Sequence, residues 1–323
     1  MRTRVFRPAS LAIALLTVAS LVLAACGPAA TPVPPTKAPA PTVAPTKPPE
    51  PTKAPEPTKP PTPVPPTATP APKTLLDIIK ARGVMRVSSD PNYKPQSFIN
   101  DKGELDGFDI EVSKEIANRL GVKVEFITPS WDIIVAANWG GRWDVSIGSM
   151  TITPDRAKVL YFSSPYYYTP AQFGVHKNSA IAKVEDFSGK TVCVGAGTTY
   201  ESYLSGELTL EGEKILKQVT GAKAQPLETD SECIQAIQAG RKEFAGVLTA
   251  LPTLEDAIKN GAPLKMVGDP VYYEDLAAAF DRNVPNSEPF VQAVTKIIDD
   301  MHKDGTLTKM AVKWYGVDLS SKK

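Results

Sequence analysis

Histidine, charge of one sign and cysteine are all scarce in this chain, and each shortage narrows the function. The two histidines, His176 and His302, lie far apart with no cysteine or carboxylate at ligand spacing, which argues against a metal centre. Lysine and arginine number 36 against 35 acidic residues, a formal charge of +1, and no basic block lies outside residues 27–73. Nucleic acid is therefore not an expected partner. The apolar run Leu11–Leu23 is too short to span a bilayer. Cysteine occurs only at positions 26, 193 and 233. The single G-x-G, Gly195 to Gly197, has no third glycine and makes a weak nucleotide loop, so no cofactor is expected.

What is present begins with Arg2, Arg4 and Arg7 ahead of that apolar run, the charge pattern of a signal peptide over residues 1–25. The run closes on Leu23, Ala24, Ala25 and Cys26, which resembles a bacterial lipobox and implies cleavage before Cys26 with diacylglycerol on its sulfur. An ordinary signal peptide with a chance cysteine is the alternative. Two or three acyl chains would hold the protein to the cell membrane on its extracytoplasmic side, where one chain would not. Residues 26–73 then repeat proline, threonine, lysine, alanine and glutamate, as in APTKPPEPTKAPEPTKPPTP. Proline at that density favours extended polyproline II, and little apolar surface is available to bury. The segment reads as a stalk reaching about 140 Å when extended, with a proline-rich ligand as the other reading.

From Leu75 onward strands and helices alternate. Strands are expected at Val84–Ser88, Val122–Thr128, Asp144–Gly148, Phe173–His176, Thr191–Gly195, Phe244–Thr249 and Ala277–Phe280. Helices are expected at Asp109–Leu120, Ser231–Ala239, Thr253–Lys259, Pro289–Lys303 and Leu307–Tyr315; in the first, Val112, Ile116 and Leu120 recur at i+4 and Gly121 stops it. Such alternation predicts an α/β fold with largely parallel sheets, and about 240 residues suit two lobes better than one.

The polar and aromatic candidates fall after strands, where open α/β sheets bind ligands. Asp90 and Tyr93 follow the first strand, and Trp131 follows the second behind a Ser130 N-cap. Asp90 ahead of Pro91 also fits a turn-capping aspartate, and either ring also fits core packing. The run Asp144–Tyr168, DVSIGSMTITPDRAKVLYFSSPYYY, is the densest. Thr153 stands at an N-cap position, Pro154 at the first helical position and Asp155 in the first turn, so backbone donors lie free there. The fork of Arg156 and the hydroxyls of Ser149 and Thr151 are placed to converge on an anion, carboxylate being the obvious guest. Taken alone, Arg156 also fits a surface ion pair.

SMTITPDRAKVLYFSSPYY, together with GFDIEVSKEIANRL upstream, resembles the diagnostic segments of the family-3 extracellular solute-binding proteins, which deliver polar amino acids to ABC transporters. The resemblance covers about residues 74–316. It implies two Rossmann-like α/β lobes, residues 74–168 with 274–323 and residues 169–273, joined by crossings at Tyr166–Pro170 and Tyr272–Leu276 and closing on a ligand between them. Tyr93 and Trp131 match positions that hold the ligand's side chain, and Asp90 one that faces it. Ser149, Thr151 and Arg156 match the carboxylate site, with Thr198 and Thr199 as its second half. With Cys26 lipidated, Cys193 and Cys233 form an even pair in an oxidising compartment; some Gram-positive members carry a pair at similar places, so a disulfide is expected, with two buried thiols as the alternative.

One departure stands out. Aligning Pro252 in GVLTALPTL with the family's proline puts Ala250 where an aspartate usually holds the ligand's ammonium. Either Glu274 or Asp275 substitutes, or the ligand lacks the amine. Gly195 lies where some relatives carry a long ligand-reading side chain, which implies room for a larger guest. The resemblance thus implies a monomeric receptor that passes an amino acid or related carboxylate to an ABC permease without chemistry of its own. The other readings are an enzyme like the cyclohexadienyl dehydratases, which share this fold, and a sensor or scaffold domain. No role can be assigned to the segment from Gly206 to Gly221.

Overall fold

The computed structural model describes residues 73–322; the signal peptide, Cys26 and the stalk assigned above lie outside them. Eight strands form one hydrogen-bonded sheet, in the order Lys123–Ile127, Val84–Ser88, Val145–Thr151, Leu264–Asp281, Leu160–His176, Gly246–Ala250, Thr191–Gly195 and Lys223–Leu227. One half holds β1 (Val84–Ser88), β5 (Lys123–Ile127) and β6 (Val145–Thr151), with β1 parallel to both neighbours. The other half holds β8 (Thr191–Gly195), β9 (Lys223–Leu227) and β10 (Gly246–Ala250), again parallel. Two long strands, β7 (Leu160–His176) and β11 (Leu264–Asp281), run antiparallel through both halves. The fold is α/β as expected, but its centre is antiparallel.

The long strands also correct two expectations, the separate short strands, and contain both segments expected as crossings. The short strands expected at Phe173–His176 and Ala277–Phe280 and the crossings expected at Tyr166–Pro170 and Tyr272–Leu276 are parts of the same two strands, with Glu274 opposite Thr169 and Asp275 opposite Tyr168. Pro165, Pro170 and Pro270 interrupt the apolar pattern and made the chain read as broken. The register shifts between Leu276 and Ala277 and between Val267 and Tyr272 absorb these prolines without ending the strands.

Each half carries its own core. Phe108, Val112 and Ile116 of the helix α2 (Phe108–Leu120) pack with Val87, Val145, Tyr166 and Phe290 in the first half. Gly107, at φ +125°, starts this helix, and a Cβ there would lie 2.3 Å from the Gln96 carbonyl oxygen. In the second half Phe173, Val194, Tyr203 and Leu248 form one cluster and Cys193, Ile237, Val247 and Leu254 another. A disulfide joins Cys193 on β8 to Cys233 on α6 (Asp230–Gln238), as expected. The segment after α5 (Thr199–Ser205) is irregular but tied down: Tyr203 donates its hydroxyl to the Lys217 carbonyl at 2.6 Å, and Leu216 N–H donates to the Val271 carbonyl.

Several elements escaped the sequence pattern. They are the helix over Leu75–Arg82, the small antiparallel sheet of Asn92–Tyr93, Ser97–Ile99 and Leu105–Asp106, and β9, whereas the short helix Trp131–Val135 begins behind Ser130 as expected. Strand β9 is an edge strand with the sequence KAQPL, where Pro226 and alternating exposure leave no apolar run to recognise.

Candidate functional site

The carboxyl ends of β1, β5, β6, β8 and β9 converge on a cleft of about 510 Å³, open mouth included. Asp90, Tyr93, Trp131, Thr151 and Arg156 line it from the first half, and Thr198, Thr199, Tyr200 and Asp230 from the second. Glu274, on β11, lines it as well. A concave space with a few converging polar groups is the usual form of a small-molecule site.

Arg156 follows β6 in a single helical turn, Pro154–Ala157, whose Thr153 cap accepts from the Arg156 N–H at 3.2 Å. Its guanidinium donates to the Thr151 carbonyl at 3.1 Å and, across the cleft, to the Gly197 carbonyl at 3.1 Å. Both partners are neutral, and a guanidinium has five N–H donors. Burial lowers its basicity, opposed chiefly by the charge of Glu274. The fork also lies over the Trp131 ring, 5.5 Å from its centroid, and Trp131 Nε1 donates to the same Gly197 carbonyl at 3.3 Å.

Glu274 is 2 % exposed and held by hydroxyls. Thr151 donates to its Oε1 at 2.7 Å, Thr199 donates to the same oxygen, and Tyr200 donates to Oε2 at 2.9 Å. Tyr93 meets the Tyr200 hydroxyl at 3.0 Å. Burial raises the Glu274 carboxyl, while the three hydroxyls and Arg156 pull it down.

Three expected residues behave differently. Asp275 is absent from the cleft wall: neighbouring residues on a strand face opposite ways, and it pairs with Lys322 at 3.0 Å. Ser149 lines the cleft, but its hydroxyl donates inward to Asp109 Oδ2 at 2.7 Å and also meets Tyr167. Its backbone sits at φ +57°, in the left-handed region, pinned by its N–H donating to the Tyr166 hydroxyl. Thr198 likewise caps α5, its hydroxyl donating to the Gly195 carbonyl at 2.7 Å and accepting from the Glu201 N–H. Asp90 lines the cleft and also accepts from Asn92, as a turn-capping aspartate does.

Position 250 is not part of the cleft wall. Ala250 ends β10 as a buried methyl in the second-half core. The acid that sequence reasoning missed is Asp230, which is 6 % exposed and lines the cleft. The signal that could have found it is Thr229, an N-cap that accepts from the Glu232 N–H and starts α6 directly after the unrecognised β9.

The model of the bacterial extracellular solute-binding proteins, family 3, matches residues 85–317. The chain belongs to that family. It is 31% identical over 252 residues to the L-cystine-binding protein of Escherichia coli K12, covering 77% of this chain and 89% of that one. Among solved structures, an ancestral arginine-binding protein bound to glutamine is 34% identical with a TM-score of 0.63, covering 73% of this chain and 99% of that one. The substrate binding protein of an amino acid ABC transporter is 25% identical with a TM-score of 0.63, covering 72% and 99%. These relatives are binding proteins.

Proposed function

We propose that this family member is a lipid-anchored extracytoplasmic receptor that captures an amino acid or related small carboxylate and passes it to an ABC permease, without catalysing a reaction. Two lobes, residues 74–168 with 274–323 and residues 169–273, would close on the guest about the paired centres of β7 and β11. Arg156 would hold the guest's carboxylate with help from Thr151 and Thr199, while Tyr93, Trp131 and Asp90 would face its side chain. Cys26 would carry the lipid and residues 27–73 would set the distance from the membrane.

The observation that carries this reading is Arg156 itself. Its fork is held by carbonyls from both sides of the cleft, next to an aromatic ring, and by no carboxylate among the described residues. Such a guanidinium keeps charge and donors for an anion.

A thermal-shift panel of amino acids on the full chain tests capture, because a guest at a hundred times its Kd adds about 2.7 kcal/mol of stability. Arg156→Ala should weaken any hit at least 100-fold, about 2.7 kcal/mol. Unchanged affinity in that variant would remove the basis of the reading. Turnover of prephenate or arogenate would instead establish an enzyme.

A further inference from the structure

The cleft holds one guanidinium but several carboxylates, and these differ in what satisfies them. Glu274 accepts from three hydroxyls through both oxygens. Asp90 accepts from Asn92 through Oδ1, and Glu228 is solvent-exposed at the rim. Asp230 is more than nine-tenths buried, yet only its Oδ1 has a hydrogen bond, from the Gly195 N–H at 3.2 Å. No other donor among the described residues meets it in hydrogen-bond geometry; the buried Thr249 hydroxyl lies near enough to favour its charged form, and no lysine or arginine among them pairs with it.

The wall around Asp230 keeps that carboxylate open to the cleft. A Cβ at Gly195 would sit 3.0 Å from Thr198 Cγ2 and 3.3 Å from Asp230 Cγ, so a side chain there would press on the carboxylate. The charges acting on the two ends differ as well. Arg156 feels chiefly Glu274, whereas Asp230 feels Glu274 and Asp90. Arg156, Glu274 and Asp230 all line the one cavity.

We propose that Asp230 receives the α-ammonium of the guest, so that the cleft selects zwitterions whose carboxylate lies on Arg156. This rests on the reading of the cleft as the capture site. A buried carboxylate with one open oxygen gains most from a cationic donor, because a charge-assisted hydrogen bond restores what burial removed. Ala250 lies behind the wall and has no part in this contact. Asp230 then fixes which class of carboxylate enters: α-amino acids with a free amine are retained, and acylated or deaminated acids are not.

Calorimetric titration of the full chain tests this with L-arginine, L-glutamine and L-cystine, each beside its Nα-acetylated form. For every amino acid that binds, acetylation should weaken binding at least tenfold, a readout that needs no variant. Asp230→Asn, whose amide oxygen can still accept from Gly195 N–H, should cost at least tenfold for the free amino acid and reduce the penalty for acetylation. Acetylated and free forms binding alike, or Asp230→Asn binding within twofold of wild type, would overturn the proposal. If Arg156→Ala abolishes binding while either of those results is obtained, only the role of Asp230 fails. If none of these probes binds, the role of Asp230 and the amino-acid reading fall together.

Discussion

Each half of the molecule buries one aspartate that is pushed up to about 7 by desolvation, Asp109 in the first and Asp230 in the second. Their surroundings differ. Asp109 accepts from Tyr166 through Oδ1 and from Ser149 through Oδ2, each at 2.7 Å, so both oxygens are closed within the protein. Through Ser149 it holds the left-handed turn at the end of β6 that leads to Arg156. Asp230 has one oxygen on a backbone N–H, while the other takes no well-formed hydrogen bond from the described residues, with only the Thr249 hydroxyl near the carboxylate. The same chemical group, equally buried, thus serves as a structural brace in one half and lines a cavity in the other. A complete set of partners marks the brace, and an incomplete set beside empty space marks the site.

The largest effect that tests this contrast is on stability against pH. An unfolded aspartate titrates near 3.8, but both of these titrate near 7 when folded. Between those values the folded state binds more protons than the unfolded state, so each group makes stability fall as pH rises, by up to about 1.4 kcal/mol per unit. Below pH 4 neither group contributes a slope. Urea unfolding at pH 4, 5.5 and 7 should show Asp109→Asn and Asp230→Asn each flattening the decline relative to wild type. Saturating L-arginine should flatten only the Asp230 share, since Glu274 and Asp90 repel its charge until a cation offsets them. Equal flattening of both shares would erase the distinction.

The disulfide comes next, because the second half fixes the helix carrying Asp230 covalently where the first half uses hydrogen bonds. Cys193 and Cys233 are separated by 40 positions in the sequence. Replacing both with alanine should cost about 2–4 kcal/mol in chemical unfolding. Protection of amides should fall most in β8 and α6, and least around α2. Uniform loss across both halves would show the two cores to be a single cooperative unit.

Much of this arrangement was legible in the sequence. The strands Val84–Ser88 and Thr191–Gly195 have the expected limits, because each is a short apolar run between clear breaks. The helix at Asp109–Leu120 differs from expectation by one residue, since its i+4 pattern and closing glycine are both local signals. What depended on distant pairing was harder to read. Glu274 and Asp275 are equivalent as letters, and only the register of β11 against β7 sends one to the cleft and the other to Lys322. Ser149 and Thr198 were visible as hydroxyls near an anion site, but the groups that engage them are Asp109, 40 residues away, and the Gly195 carbonyl. Asp230 was missed because an edge strand containing proline leaves no apolar signature. An aspartate at a helix start also resembles an ordinary first-turn acid.

Removing the brace itself should have a smaller effect than removing the disulfide. Asp109→Ala leaves the Tyr166 and Ser149 hydroxyls buried without their acceptor, a loss of about 1–3 kcal/mol. It should also weaken binding indirectly by releasing the turn before Arg156, so Kd and stability should move together. Asp230→Ala, by contrast, should weaken amino-acid binding more than it weakens the fold. A shift in binding with no shift in stability for Asp109→Ala would mean that it contacts the guest directly.

The smallest effect separates a cap from a contact. Thr198 and Thr199 are adjacent and each carries a hydroxyl, but Thr198 closes the start of α5 while Thr199 donates to Glu274 in the cleft. Losing a threonine cap costs about 1 kcal/mol. Thr198→Ala should therefore lower the unfolding midpoint slightly with little change in Kd, whereas Thr199→Ala should change Kd by severalfold through the freed Glu274 oxygen. Thr151 also donates to that oxygen, which limits the size of the second effect. If Thr198→Ala proves the more damaging to binding, the helix start contributes to capture through its hydroxyl, and the division between structural and open groups drawn from Asp109 and Asp230 does not extend to this loop.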